Sequence, residues 1–231
     1  ATNFELDATN STMYVEALKG VILTLYGDEP LEYHNIILNK PGDSVVNVYN
    51  TTKYNNILAN ASDNVVTSVF TDENGNTGQG DFIANNIFFN GRNNLLWGTS
   101  VTDTVIFIDT AGVIAQNHLI NFAVFYGPDG EIIGFPNTPN KFERCDFYSS
   151  GTFRGINEFD TLHLFAGVAE EISGDIGNEY KFVSGTEQII YDSLFLRGNQ
   201  CARISITSIN GNGPAFIRKD QGFDVQCDFI I

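Results

Sequence analysis

The sequence predicts an all-β protein, with a single-stranded parallel β-helix as the favoured architecture and a jelly roll or similar β-sandwich as the alternative. Short apolar or alternating runs recur between turn residues, about 8 to 12 positions apart, which is typical of all-β folds. Composition agrees, because 26 Asn and 22 Gly accompany 19 Phe and 9 Tyr in 231 residues. Several of the runs also align with one another, and such self-similarity favours stacked coils.

The predicted strands follow one another along the chain with turn signals between them. In order, the runs cover Ser44 to Tyr49, Val65 to Phe70, Phe82 to Phe89, Thr104 to Ile108, His118 to Tyr126, Thr161 to Phe165, Gln188 to Leu196, Ala202 to Ile209 and Phe223 to Ile231. Turns are indicated by Asn74-Gly75, Asn90-Gly91 and the NGNG segment 210–213. No low-complexity linker divides the chain. We therefore expect one domain, or an N-terminal segment over residues 1–60 with a short helix or capping strands and a β-solenoid body over residues 61–231.

Two segments have helical features. Ser11 to Leu23 combines capping residues with a partial apolar stripe, although its VILTLY run fits a strand equally well. Ala166 to Ile172 has room for two helical turns before Gly174 ends them. A helix is therefore left open in these two places.

The alignment of the runs rests on five Phe residues. They are Phe88, Phe125, Phe147, Phe195 and Phe229, and two positions before them stand the small residues Asn86, Ala123, Cys145, Ser193 and Cys227. The intervals between the Phe residues are 37, 22, 48 and 34, of which 22 suits one coil of a parallel β-helix and 48 suits two. Two further strands open with Asp-Thr, at Asp103 and Asp160, and close with Ala-Gly. Stacked coils predict inward columns of small residues and of Phe, with Asn and Asp outward on turns.

Charge and cysteine content exclude other classes of protein. The chain has 28 acidic against 12 basic residues and a net charge of -16, which repels phosphate backbones and argues against nucleic-acid binding. No apolar run reaches the roughly 18 residues that cross a bilayer, so we expect no membrane insertion. Cys145, Cys201 and Cys227 are widely spaced, which favours buried small side chains over a zinc site. The odd cysteine count and the lack of an export signal lead us to expect folding in a reducing cytosol.

Two segments carry a resemblance to a known class of proteins. RCDFYSSGTFRGINEFDTLHLF (144–165) and QIIYDSLFLRGN (188–199) resemble the loosely repeated coils of right-handed parallel β-helix virion proteins of bacterial viruses, the tailspike, fibre and decoration class. The resemblance covers about residues 80–231. It implies a right-handed β-helix, a place on the surface of a virus particle and a homotrimer, and it carries no catalytic residue across.

Candidate catalytic residues are few. The sequence has no G-x-S-x-G, S-x-x-K, Walker or H-E-x-x-H motif. Glycan cleavage needs two carboxylates about 5 to 9 Å apart. Glu158 and Asp160 are the candidates, because residues two apart on one strand share a face and can line a groove together.

Two other features suggest binding. In the DENGNTGQGD loop, Asp72, Asn74, Asn76 and Asp81 offer the hard oxygen ligands that Ca²⁺ prefers, although a Gly-rich hairpin explains the same residues. Trp97 and Tyr148 have polar neighbours and are candidates for stacking on sugar rings.

These observations predict a non-catalytic structural or adhesive subunit of a virus particle, such as a capsid decoration, head-fibre or tail-fibre protein. We expect it to be assembled in the host cytoplasm, to form a homotrimer with other virion proteins as partners, and to need no cofactor other than a possible Ca²⁺. Host surface glycans are candidate ligands. The alternatives are a tailspike-type polysaccharide depolymerase and an extracellular carbohydrate-binding jelly roll.

Overall fold

The computed structural model describes residues 11–15, 22–26, 32–48, 52–68, 70–71, 77–78, 81–166, 177–198, 204–211, 213–219 and 225–228. Within these ranges the regular secondary structure is entirely β. The strands are β1 Thr12–Val15, β2 Ile22–Tyr26, β3 Glu32–Leu38, β4 Ser44–Val48, β5 Thr52–Ala59, β6 Val65–Ser68, β7 Phe70–Thr71, β8 Thr77–Gly78, β9 Asp81–Phe89, β10 Leu95–Phe107, β11 Val113–Phe125, β12 Gly130–Ile133, β13 Asn140–Phe147, β14 Gly151–Arg154, β15 Ile156–Phe165, β16 Glu179–Val183, β17 Glu187–Arg197, β18 Ser205–Ile209, β19 Phe216–Lys219 and β20 Val225–Asp228.

Parallel pairing joins eighteen of the strands described into one sheet, and only β7 and β8 pair antiparallel. Each strand pairs with a strand one turn of chain further on. The shortest step joins Arg144 to Thr161 and the longest joins Thr161 to Ser193. Parallel neighbours so close in sequence need a crossover that returns the chain to the same side, and a stack of short coils provides it. The parallel sheet agrees with the predicted stacking and contradicts the jelly-roll alternative, whose strands would be antiparallel.

An inward column of Phe residues fills the middle of the stack. Phe89, Phe107, Phe125 and Phe147 occupy one register position in successive coils, and each is at most 1% exposed. Their ring centroids are 4.5, 4.9 and 4.3 Å apart, with neighbouring planes within 9° of parallel. The predicted alignment is right for Phe125 and Phe147.

The same alignment is one residue out of register elsewhere. Phe88 and Phe195 are partly exposed outward neighbours, while Phe89 and Leu196 take the inward position. Phe229 lies outside the described residues. Thr104 and Thr161, which the two Asp-Thr openings align, do share one register column through β11 and β13.

Glycines make room for these rings. A Cβ atom on Gly112 would lie 2.2 Å from Phe107, one on Gly130 would lie 2.6 Å from Phe125, and one on Gly151 would lie 2.6 Å from Phe147. Real Cβ atoms do not approach so closely, so the strand that follows each Phe must begin near a residue without a side chain. Each large Phe ring therefore occupies the space that a side chain at the glycine position would need.

A second inward column is polar. Ser100, His118, Asn140, Asn157 and Gln188 follow one another through the stack, and each is at most 1% exposed. Asn140 Nδ2 donates to Asn157 Oδ1 at 3.0 Å, and Asn157 Nδ2 donates to Gln188 Oε1 at 2.8 Å. Buried amides without partners would be costly, so the bonds along the column are what allow it.

His118 in this column is held neutral. Its Nε2 atom lies 2.9 Å from the carbonyl oxygen of Ala115, which can only accept, so Nε2 carries the proton. Nδ1 then accepts from the Ser100 hydroxyl at 2.7 Å. Burial lowers the pKa of His118 to about 4. His118 is therefore a structural residue.

Turns carry Asn and Asp as the sequence predicts. Asp63, Asn93, Asp129 and Asn210 all have positive φ values, between 55 and 61°, which these side chains tolerate better than most. Asn93 Nδ2 also donates to Asp63 Oδ1 of the preceding coil at 3.0 Å. The turns therefore stack as the strands do.

Of the helix and the strand that the sequence leaves open over Ser11 to Leu23, the helix is wrong where the chain is described, because Thr12–Val15 and Ile22–Tyr26 are strands. Parallel pairing of Thr12–Val15 with β3 explains the difference, since tertiary pairing overrides a marginal helical pattern. The second candidate, Ala166 to Ile172, lies outside the described residues beyond Ala166. The division at residue 60 stays a prediction, although β5 pairs directly with β9.

Candidate functional site

An open groove of about 340 Å³ lies on the outer surface of β11, β13, β15 and β17. It is lined by Leu119, Lys141, Phe142, Glu143, Glu158, Asp160 and Tyr191. The structure thus brings the two candidate carboxylates, Glu158 and Asp160, to one cavity, because they alternate with the inward Phe159 on β15.

Glu158 is already engaged on both sides of this groove. Its Oε2 atom lies 3.0 Å from Lys141 Nζ of the preceding coil, and this hydrogen bond raises the pKa of Lys141. Burial, and next the charge of Glu158, raise the pKa of Tyr191 on the following coil. Asp160 and Glu143 are exposed. The groove therefore offers an ammonium group, a phenol and carboxylates, a set that can hydrogen-bond hydroxyl groups.

A β-bulge shapes the same groove. Phe159 pairs with Ile190, but Thr161 pairs with Ser193, so Asp160 faces the two residues Tyr191 and Asp192. Such an insertion re-aims side chains and is frequent beside functional sites. Here it brings the Tyr191 side chain to the groove.

The surface continues along the stack. Glu32, Lys53, Ile83, Val101, Leu119, Lys141 and Glu158 form one outward register column. A second cavity, of about 230 Å³, lies near its N-terminal end and is lined in part by His34, Asn55 and Asn85. The two cavities lie on one side of the molecule, because residues of this column line both of them.

Beside this surface runs the outer acidic column, defined as Asp103, Asn121, Glu143 and Asp160. The pairing ladder skips this position in each coil, and all four residues are exposed. Asn121 Nδ2 donates to Asp103 Oδ1 at 2.8 Å. Because Asp103 and the following Thr104 both face outward, the coil turns a corner here and a new outer surface begins.

That next outer surface is apolar, and we call it the aromatic face. Its members, which alternate with the inward columns and are at least partly exposed, are Phe88, Ile106, Ile108, Phe122, Tyr126, Tyr148, Phe165 and Phe195. Ile108 is 51% exposed, Tyr126 is 50% exposed and Tyr148 is 38% exposed. A contiguous apolar surface of this kind commonly marks an interaction site.

Ring stacking decides what Tyr148 can offer. The centroid of Tyr148 lies 5.1 Å from that of Tyr126 on one side and 4.5 Å from that of Phe165 on the other, with planes 19° and 3° from parallel. Both ring faces are therefore covered, and only the edge and hydroxyl are open to a ligand. Trp97, which is 36% exposed, lies on the first segment of β10 beside Ala115. The structure thus does not bring the two aromatic candidates together.

One ionic cluster is set into the aromatic face. Asp146 is completely buried and receives two hydrogen bonds from Arg144, of 2.9 and 2.6 Å. His163 Nδ1 lies 3.1 Å from Asp146 Oδ1, outside hydrogen-bond alignment. Burial lowers the pKa of His163, and Asp146 opposes that shift. The carboxylate is neutralised within the face, so it adds no exposed negative charge there.

The proposed calcium ligands are not placed. Asp72, Asn74 and Asn76 lie outside the described residues, as does the side chain of Asp81. Among the residues described, no group of three or more His, Cys, Asp or Glu side chains is arranged to hold a metal ion. Calcium therefore stays a prediction.

No helix in the described part of the chain has the length and apolar character needed to cross a bilayer.

Sequence reasoning missed the residues that adjoining coils contribute. Lys141 and Tyr191 line the groove from β13 and β17, and Tyr126 and Phe165 cover Tyr148 or extend its stack. A signal was present for the latter pair, because an inward residue is followed at once by an outward apolar one in Phe107-Ile108, Phe125-Tyr126, Phe147-Tyr148 and Leu164-Phe165.

Comparisons of the chain with protein-family models, curated proteins and solved structures find no match.

Proposed function

We propose that the protein is a non-catalytic structural or adhesive subunit on the surface of a virus particle, built as a single-stranded right-handed parallel β-helix and assembled as a homotrimer. The carrying observation is the regular stack itself, in which a Phe column and a hydrogen-bonded amide column run through successive coils. Such columns make a stiff rod. Right-handedness is the hand that nearly all parallel crossovers adopt.

A presentation role also fits the distribution of chemistry. The two inner columns are packed or hydrogen-bonded, and Cys145 is buried, which raises its pKa well above the ordinary value and makes it unreactive. Side chains available to a partner lie on the outer surfaces, where they are repeated from coil to coil. This is the arrangement of a scaffold that offers long surfaces to partners.

The test combines shape with location. Small-angle scattering of the purified chain should give the profile of a rod, and an antibody to the chain should label purified virus particles and follow them through a density gradient. A compact globular profile would contradict the β-helix. Finding the chain only in the soluble fraction of lysed host cells, or only in the culture medium, would contradict a virion location.

A polysaccharide-degrading enzyme of the tailspike type is the second candidate, and the groove around Glu158 and Asp160 favours it. The assay is the release of reducing ends from host capsule or lipopolysaccharide. Glu158→Gln and Asp160→Asn should abolish release if the groove is catalytic. Glu179→Gln is the matched control, because Glu179 also forms a half-exposed ion pair, with Lys181 at 3.2 Å, on another segment of the coil. No release by the unaltered chain excludes this activity on the glycans tested.

A further inference from the structure

We propose that the aromatic face is the surface through which one copy of the chain binds a second copy. The inference rests on the homotrimer of the proposed function and assigns it a place on the molecule. The face spans six strands, from Phe88 on β9 to Phe195 on β17. Its apolar side chains point away from the inward columns, and three of them, Ile108, Tyr126 and Tyr148, are between 38 and 51% exposed.

The dimensions suit the centre of a protein interface. Six strands about 4.8 Å apart, and about four residues of roughly 3.3 Å along each strand, give a flat area on the order of 400 Å². A stable interface covers about 800 Å² on each partner, and its apolar centre is ringed by a polar rim. The rim is present on one side in the outward column next to the outer acidic column, where five of the six positions are polar and Phe122 is apolar; the polar residues are Asn86, Thr104, Arg144, Thr161 and Ser193.

Charge points to a second copy as the occupant. The charged side chains that the described part of the aromatic face exposes are Arg144 and Arg197, each lying over an aromatic ring, at 5.2 Å from Phe122 and 5.0 Å from Phe195 respectively. Around the corner, Asp103, Glu143 and Asp160 expose carboxylates. The charge of Arg144 is balanced by the buried Asp146, so Arg197 supplies the net positive charge of the aromatic face. One molecule therefore carries an apolar face with an exposed guanidinium group and an adjoining column with three exposed carboxylates.

Two complementary surfaces on one chain favour a head-to-tail contact, in which the aromatic face of one copy meets the acidic side of the next. Such contacts close into rings when the rotation permits, and a trimer is the smallest ring of this kind beyond a dimer. The arrangement also keeps carboxylates of adjacent copies apart, in a chain whose net charge is -16.

The ring geometry argues against a sugar as the occupant. Sugars stack on open ring faces, whereas both faces of Tyr148 are covered by Tyr126 and Phe165. Edges and aliphatic side chains interlock well with another protein surface. A repeat from coil to coil also matches the repeat of a second copy.

The test measures the mass of the full chain by sedimentation velocity and light scattering over a hundredfold range of concentration in the micromolar region. The unaltered chain should sediment at three times the chain mass of 25.5 kDa. Tyr126→Ser combined with Tyr148→Ser should weaken association at least 100-fold. Phe216→Ser is the matched control, because Phe216 is 53% exposed but lies on β19, which pairs with the opening of β17 and is away from both the aromatic face and the outer acidic column, and it should leave the mass unchanged. Circular dichroism and thermal melting establish that each variant is folded.

A charge swap tests the orientation of the contact. Arg197→Glu alone should weaken association, and adding Asp103→Lys, Glu143→Lys and Asp160→Lys in the same chain should restore it. A monomeric unaltered chain throughout the concentration range would overturn the proposal, as would an unchanged mass for the folded Tyr126 and Tyr148 variant. Binding of a glycan array that this variant loses, with the chain monomeric, would assign the face to sugars instead. The measurement needs no virus particle, so it is independent of the test for a virion location.

Discussion

The coupling between Phe125 and Gly130 is the sharpest test of the stacked core. Phe125 lies between Phe107 and Phe147, at centroid distances of 4.9 and 4.3 Å. A Cβ atom on Gly130 would lie 2.6 Å from Phe125 Cδ1 and 3.1 Å from Phe147 Cε1. The rings on both sides prevent Phe125 from moving along the stack. Gly130→Ala should therefore force strain into the core, although Gly130 lies at the start of an ordinary strand.

The magnitudes follow from this packing. Overpacking by one methyl group costs about 1 to 3 kcal/mol where the core cannot relax. Phe125→Leu keeps an apolar side chain but loses two stacked ring pairs, each about 0.5 to 1.5 kcal/mol, and should cost roughly 2 kcal/mol. In the double variant the alanine methyl occupies space that the ring has left. We expect the double variant to be at least about 1 kcal/mol more stable than the sum of the single effects predicts.

The assay is urea unfolding followed by circular dichroism, with all four chains of the cycle at one concentration. Gly185→Ala serves as the control for a glycine replaced without crowding, because its Cβ atom would meet nothing within 4 Å and only its φ of 76° is unfavourable. That variant should show no coupling to Phe125→Leu. Additive losses for Gly130→Ala and Phe125→Leu would refute the packing argument, as would a Gly130→Ala chain as stable as the unaltered one.

Two predictions concern the buried polar column. Burial lowers the pKa of His118 from 6.5 to about 4, so the unfolded chain binds the proton more readily than the folded chain. Lowering the pH from 6.5 to about 4 should therefore reduce the free energy of unfolding by up to about 3 kcal/mol. Urea midpoints measured at several pH values should show that His118→Gln removes this part of the loss. Asn157→Ala should lower the free energy of unfolding by about 2 to 5 kcal/mol in thermal or urea melts, because it removes the hydrogen bonds to Asn140 and Gln188 inside the core. Asn90→Ala is the control: it removes an exposed hydrogen bond to Asn60 and should cost less than about 1 kcal/mol.

The sequence predicts the stacking well because a coil repeats its volume requirements. Phe125 and Phe147, whose spacing suits one coil, pair as expected. The predicted register is wrong where a residue other than Phe fills the inward position, or where two Phe residues stand side by side. In the pair Phe88-Phe89 either residue satisfies the pattern, and only the strand partner decides which one is inward. In the later coils Leu164 and Leu196 fill the inward position of the Phe column. An alignment that looks for Phe therefore selects Phe195, the outward neighbour of Leu196.

The candidate groove shows the complementary limit. Glu158 and Asp160 were predictable as a pair because the period of two along one strand is a local property. Lys141 reaches Glu158 from the preceding coil, which is short, and Tyr191 reaches it through a bulge on the following coil, which is much longer. Coils of such unequal length leave no single period to search for. Contacts across coils therefore become visible only when the strand pairing is known.

Net charge and the aromatic face act in opposite directions on assembly, and salt separates them. Copies of charge -16 repel at long range, and this repulsion is screened over about 10 Å at 0.1 M salt. In the proposed interface, salt weakens the attraction between Arg197 of one copy and the carboxylates of the next, whereas it does not weaken the burial of Tyr126 and Tyr148. If the aromatic face is the centre of the interface, sedimentation should show tighter association at about 0.2 M than at about 0.01 M salt. Association that weakens steadily with salt would instead mean that charge pairs hold the copies together, and would count against an apolar centre.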